Sequence, residues 1–91
     1  MRVIFLMMKL LILYTYDAVS TDLNCWFPKV KKGGVISGHD YISGDETIRR
    51  GHSVRFGVVE AVTDFRKKHG FRESNFHLTN EDYASYYIVK E

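Results

Sequence analysis

Cysteine and proline each occur once in these 91 residues, and no hydrophobic run approaches the ~20 residues of a membrane span. A lone thiol, Cys25, excludes an internal disulfide, and without a CxxC or a paired Cys/His spacing there is no ligand set for structural zinc. A reducing, cytoplasmic setting follows from that cysteine usage. Charge of one sign is missing too: 13 Lys and Arg stand against 11 Asp and Glu, a net +2, short of the concentrated excess of a dedicated nucleic-acid binder. His52, His69 and His77 show no HxH or HExxH spacing, and His69 fits a helix C-terminus, where the local field favours the imidazolium. Internal repeats and low-complexity tracts are absent. What is present, 45% hydrophobic and 26% charged residues, is ordinary globular composition for one small domain with a thin core. A multidomain enzyme is excluded.

The amino terminus admits two readings. Met1-Arg2 precedes an apolar stretch, and Ala18-Val19-Ser20 resembles a small-residue cleavage site, which would make a secreted product beginning at Thr21. Against this, Lys9 splits the stretch into runs of six and four residues, and Asp17 sits just before the cleavage site. Residues 3–13, apolar without alternation, read better as a strand covered on both faces, as in a parallel sheet.

From Asp17 the spacing of Val19, Leu23, Trp26 or Phe27 and Val30 predicts an amphipathic helix that frays by Pro28. Val35-Ile36-Ser37 is a short strand between glycines, followed by a polar loop over residues 39–53. Residues 56–69 predict a second helix, with Val58, Ala61, Val62 and Phe65 inside, basic residues in the last turn and Gly70 as a left-handed stop. Residues 71–78 and 84–90 predict a closing antiparallel hairpin. The fold class is therefore α/β: strand, helix, strand, helix, then an antiparallel β-hairpin. Ligands on such sheets bind beyond the carboxyl ends of the parallel strands, which places residues 14–17 and 38–41 on one rim.

Tyr16-Asp17-Ala18-Val19, Asp22-Leu23, Trp26, the run from Pro28-Lys29-Val30-Lys31-Lys32-Gly33-Gly34 through Val35-Ile36-Ser37-Gly38-His39-Asp40-Tyr41, and Gly57-Val58-Val59-Glu60-Ala61-Val62-Thr63-Asp64-Phe65 resemble class I S-adenosylmethionine-dependent methyltransferases. The resemblance covers residues 14–90 and the last half of that catalytic domain. It implies half of a Rossmann-like sheet whose full order is three, two, one, four, five, seven, six, with this chain supplying strands four to seven. It also implies S-adenosylmethionine as cofactor and a loop at residues 38–41 over the methyl-transfer pocket. In relatives similar to catechol O-methyltransferase, two adjacent positions there hold magnesium, and His39 and Asp40 occupy them. The resemblance thus nominates His39 and Asp40 as catalytic, Asp40 as a metal ligand, and Tyr14, Tyr16 and Tyr41 as substrate-facing.

The departures are as informative. The glycine-rich turn and the acidic residue that hold the cofactor in the family have no counterpart in this sequence. Leu11 and Tyr14 stand where relatives end their fourth strand with an acidic residue and a His. Residues before Tyr14 keep only the hydrophobicity of that strand, as drift or a shifted reading frame would leave them. The expectation is a carboxyl-terminal methyltransferase fragment, inactive alone. It would present residues 3–13 as an exposed edge to a second copy or to a separate amino-terminal half. The alternatives are a non-catalytic module pairing through that edge, and the secreted protein.

At the level of single residues, Asp40 and His39 also read as a loop hydrogen-bonder and an exposed side chain, since one carboxylate is too few for magnesium. Lys29, Lys31, Lys32 and the Arg49-Arg50 pair, with Tyr83, Tyr86 and Tyr87, could attract phosphates and stack bases. The preferred reading is a solvated turn and a hairpin face, with neither a nucleic-acid nor a membrane partner.

Overall fold

The computed structural model describes the backbone of residues 3–5 and the whole of residues 14–91. β1 is Val3–Phe5; the remainder of the expected first strand, residues 6–13, lies outside the described residues, as do the side chains of β1. α1 (Tyr16–Trp26) opens on Thr15, whose hydroxyl accepts a hydrogen bond from the Ala18 amide at 3.2 Å, a cap that saturates one orphan donor of the first turn. Val19 and Leu23, one turn apart, are its buried positions. α1 ends at Trp26, before Pro28 as expected, and Pro28 falls in a 3-10 turn, Phe27–Lys29, near its start, where its missing N–H costs nothing. Cleavage before Thr21 would cut α1 in the middle and take Val19 out of the core.

β2 (Val35–Gly38) is buried along its whole length. The polar loop expected over residues 39–53 is in fact interrupted by α2 (Gly44–Arg49). Ser43 caps it, accepting from the Glu46 amide at 3.2 Å, and buried Thr47 fastens it on both sides. The Thr47 hydroxyl donates to the Gly44 carbonyl at 2.6 Å and accepts from the Phe56 amide at 3.2 Å. α3 (Val58–His69) buries Val58, Ala61, Val62 and Phe65 and stops at Gly70, which takes φ +66°, as expected. β3 (Phe76–Leu78) is shorter than the predicted 71–78. Phe71 instead packs edge-on to Phe27, ring centroids 5.2 Å apart, and Glu73–Asn75 form a second 3-10 turn. β4 is Tyr86–Val89.

The sheet order is β1-β2-β4-β3. β1 runs parallel to β2, with Val3 opposite Val35; β4 is antiparallel to both its neighbours, with Ile88 opposite Ile36 and Phe76. The fold is thus a small mixed α/β domain with three helices, three strands joined by antiparallel pairing, and β1 added in parallel at one edge. α1 and α3 lie side by side and close over Ile36, Tyr86 and Ile88 to form the core with Leu23, Val58 and Val62. Two glycines permit close approach: a Cβ on Gly38 would lie 2.5 Å from the Tyr86 hydroxyl, and one on Gly57 2.5 Å from the Tyr16 backbone nitrogen. Among the described residues no helix is long and apolar enough to cross a membrane.

Candidate functional site

The carboxyl end of β2, the starts of α1 and α3, and the loop before β4 share one rim. Backbone hydrogen bonds pin it: the Gly57 amide donates to the Tyr14 carbonyl at 2.7 Å, and the Tyr41 amide to the Ala84 carbonyl at 2.8 Å. The candidate residues divide into two groups on this rim. No hydrogen bond or ring contact joins Tyr14 or Tyr16 to His39, Asp40 or Tyr41 among the described residues.

In the first group, His39 is exposed, and its Nδ1 lies 2.9 Å from the Ser85 hydroxyl. Ser85 is itself held. Its amide donates to the Thr79 hydroxyl at 2.8 Å, Thr79 donates to Glu81 Oε1 at 2.8 Å, and the Ser85 hydroxyl reaches the same oxygen at 3.4 Å. With Nδ1 engaged, the imidazole is oriented and Nε2 remains for exchange of a proton or a hydrogen bond with a ligand. Asp40 is half-buried with φ +56°, a left-handed conformation that Asp tolerates because it forms short local hydrogen bonds. Its backbone carbonyl accepts from the Ile42 amide at 2.8 Å. Tyr41 is half-buried against Phe76 and Tyr86, at 5.5 and 5.8 Å between ring centroids. Burial pushes its phenol pKa up, and a hydrogen bond with Thr63 partly opposes that.

In the second group, the Tyr14 ring lies 5.1 Å from Phe56, and the Tyr16 phenol donates to Asp64 at 2.6 Å. That hydrogen bond to a carboxylate, with some burial, raises the Tyr16 pKa because the phenolate would face a negative charge. Tyr16, Phe56, Glu60 and the Arg55–Asp45 pair line a cleft of about 350 Å³.

Other rim residues form a network whose pairing the sequence did not reveal. Arg50 pairs with Glu46 and with Asp82, each at 2.9 Å, and lies 5.2 Å over the Tyr83 ring, while His52 Nε2 is 2.8 Å from the Tyr83 hydroxyl. The Arg49-Arg50 pair is therefore engaged by carboxylates, since Arg49 also pairs with Glu46. At the opposite end of α3, the pKa of His69 is lowered by burial, Lys68 and Lys90, which together outweigh the favourable field of the helix C-terminus.

No protein-family model matches the chain, and comparison with curated proteins and with solved structures finds no match. S-adenosylmethionine needs a glycine turn open to the ligand. That turn has no counterpart in the sequence, and the glycine at the end of β2, Gly38, has the space beside it filled by the Tyr86 phenol, so it offers no substitute for it. Magnesium prefers several oxygen ligands, and among the described residues no group of three or more His, Cys, Asp or Glu is placed to hold a metal ion. Asp40 would bring a single carboxylate, so this residue set does not fit the metal either.

Proposed function

We propose that this chain is the carboxyl-terminal half of a class I S-adenosylmethionine-dependent methyltransferase domain. It is inactive by itself and competent only when another chain supplies the cofactor-binding half. The observation that carries the reading is the strand order. β1-β2-β4-β3, with the antiparallel β4 inserted second from the far edge, corresponds to the order four, five, seven, six implied by the motifs. α1 and α3 on one face correspond to the helices that follow strands four and five. His39, oriented by Ser85, and Tyr41 would then face the methyl acceptor, with Asp40 shaping the loop between them, and Tyr14 and Tyr16 would line its other side.

The partner reading follows from the same geometry. The outer edge of β1 has no strand beside it among the described residues, and unpaired strand edges recruit strands from other chains. The experiment has two parts. Titration calorimetry of the isolated chain with S-adenosylmethionine is expected to give no binding, and micromolar affinity would refute the view that the cofactor half must come from elsewhere. Reading all three frames upstream of the Met1 codon is expected to find a glycine-rich strand-turn-helix. A region without that coding potential would refute the fragment reading and leave edge pairing to be judged by sedimentation alone.

A further inference from the structure

The fold separates the charges of this chain. Every described arginine sits within 4 Å of a carboxylate: Arg49 and Arg50 with Glu46, Arg55 with Asp45, Arg66 with Glu73 and Arg72 with Glu91. The described lysines, Lys29, Lys31, Lys32, Lys67, Lys68 and Lys90, have no such partner among the described residues. The topology collects them at the end away from the rim, where α1 runs out into the turn before β2, α3 terminates and β4 ends.

Contacts confirm that this end is one surface. The Lys90 ammonium donates to the carbonyls of Phe27 and Val30 at 3.0 and 2.9 Å, His69 lies 5.1 Å from Phe27, and Lys68 reaches Asn24 of α1 at 3.1 Å. Lys90 is thereby turned inward, which leaves Lys29, Lys31, Lys32, Lys67 and Lys68 exposed. The partly exposed Trp26 ring lies beneath the Lys29 ammonium at 5.0 Å. Two carboxylates share this end, Glu73 and Glu91, but each is paired with an arginine, Arg66 and Arg72, so the lysines carry its excess positive charge.

We propose that this lysine end binds the phosphate backbone of a single-stranded nucleic acid, with Trp26 as a stacking platform. This goes beyond the methyltransferase reading and does not depend on it. The physical argument is counterion release. Exposed lysines gain little from isolated carboxylates on another protein, because such pairs are solvated and screened. A phosphate chain, in contrast, sheds condensed cations for each lysine that contacts it. Trp26 is partly buried against the core, and the ring face that lies under Lys29 is the one a base takes when that ammonium turns to a phosphate.

The test is fluorescence anisotropy of a labelled 20-nucleotide single strand titrated with the full chain at several salt concentrations. With about five phosphate contacts, affinity is expected to fall roughly 100-fold between 50 and 200 mM salt. The variant Lys31→Gln/Lys32→Gln/Lys68→Gln, checked for folding by circular dichroism, is expected to lower the salt slope by about two. Lysine acylation footprinting of the wild type supplies a measurement independent of variant folding: the bound strand should protect Lys31, Lys32 and Lys68. Absence of binding at 50 mM salt, an unchanged slope in a folded variant, or protection elsewhere would each overturn the proposal. So would preferential binding to phosphatidylserine vesicles over the oligonucleotide, or head-to-tail association of the chain through its acidic rim.

Discussion

At Gly57 the start of α3 presses on the backbone that opens α1, and Gly57→Ala measures how much the fold depends on that approach. The added Cβ would lie 2.5 Å from the Tyr16 nitrogen and 2.7 Å from its Cα, where ordinary contact begins at 3.4 Å. Backbone atoms cannot swing aside, so the two helix starts must part by about 0.9 Å. A gap of that order forfeits a quarter to a half of the dispersion energy across the contact. Overpacking of this kind costs about 1–3 kcal/mol, and the stiffer unfolded alanine chain offsets about 0.4–1 kcal/mol of that cost. Because φ is −120° at Gly57, no left-handed strain enters. The net loss is about 1–2 kcal/mol, or a fall in Tm of roughly 4–16 °C for a domain of this size. Urea denaturation and thermal melts followed by circular dichroism read it directly. A variant within about 0.5 kcal/mol of wild type would refute the packing argument, because changes that small are typical of surface sites.

Further predictions follow from single contacts. Thr47→Val strips partners from the Gly44 carbonyl and the Phe56 amide, so it should cost about 1–3 kcal/mol in the same melts. At Gly70, where φ is +66° and the space beside it is empty, Gly70→Ala should lose about 1 kcal/mol and Gly70→Asn less, a ranking that separates backbone strain from steric clash. Glu46 is held below the usual glutamate range chiefly by its hydrogen bond from Arg50, so its stabilisation is present above the usual value and lost as pH falls through the lowered one; Glu46→Gln should flatten the acid limb of a Tm-against-pH curve. Burial raises the Asp22 pKa and leaves one of its oxygens without a partner, so Asp22→Asn should raise Tm at neutral pH and lose that advantage as pH falls below the raised value.

How far the sequence could be read depended on the range over which each signal acts. α3 was legible because its four buried positions fall on one face and Gly70 with its basic turn marks the end within a few residues. α2 was missed although Ser43 and Glu46 carry the spacing of a capping box, because six residues with Ile48 half exposed show no apolar period. β3 was overextended because Phe71 is strand-like in isolation, and only the folded chain reveals the Phe27 and Phe65 rings that claim it. The rim shows the same division. Tyr14 and Tyr16 are adjacent to the α1 cap and could be placed from sequence. The Ser85 partner of His39 is 46 residues away and the Asp82 partner of Arg50 is 32 residues away. Tertiary contacts at such separations leave no mark in periodicity or spacing.

The interior position of β4 also sets a timetable for synthesis. β2 and β3 are never neighbours; β2 has β1 on its other side, but only residues 86–89 join it to β3. A nascent chain that has exposed α1, β2 and α3 holds most of its core side chains but lacks Tyr86 and Ile88, so the core stays open where Ile36 should meet them. Closure comes late and through contacts distant in sequence, which slows folding and prolongs exposure of apolar surface. A chain still being made therefore carries an incomplete core until Tyr86 to Val89 emerge.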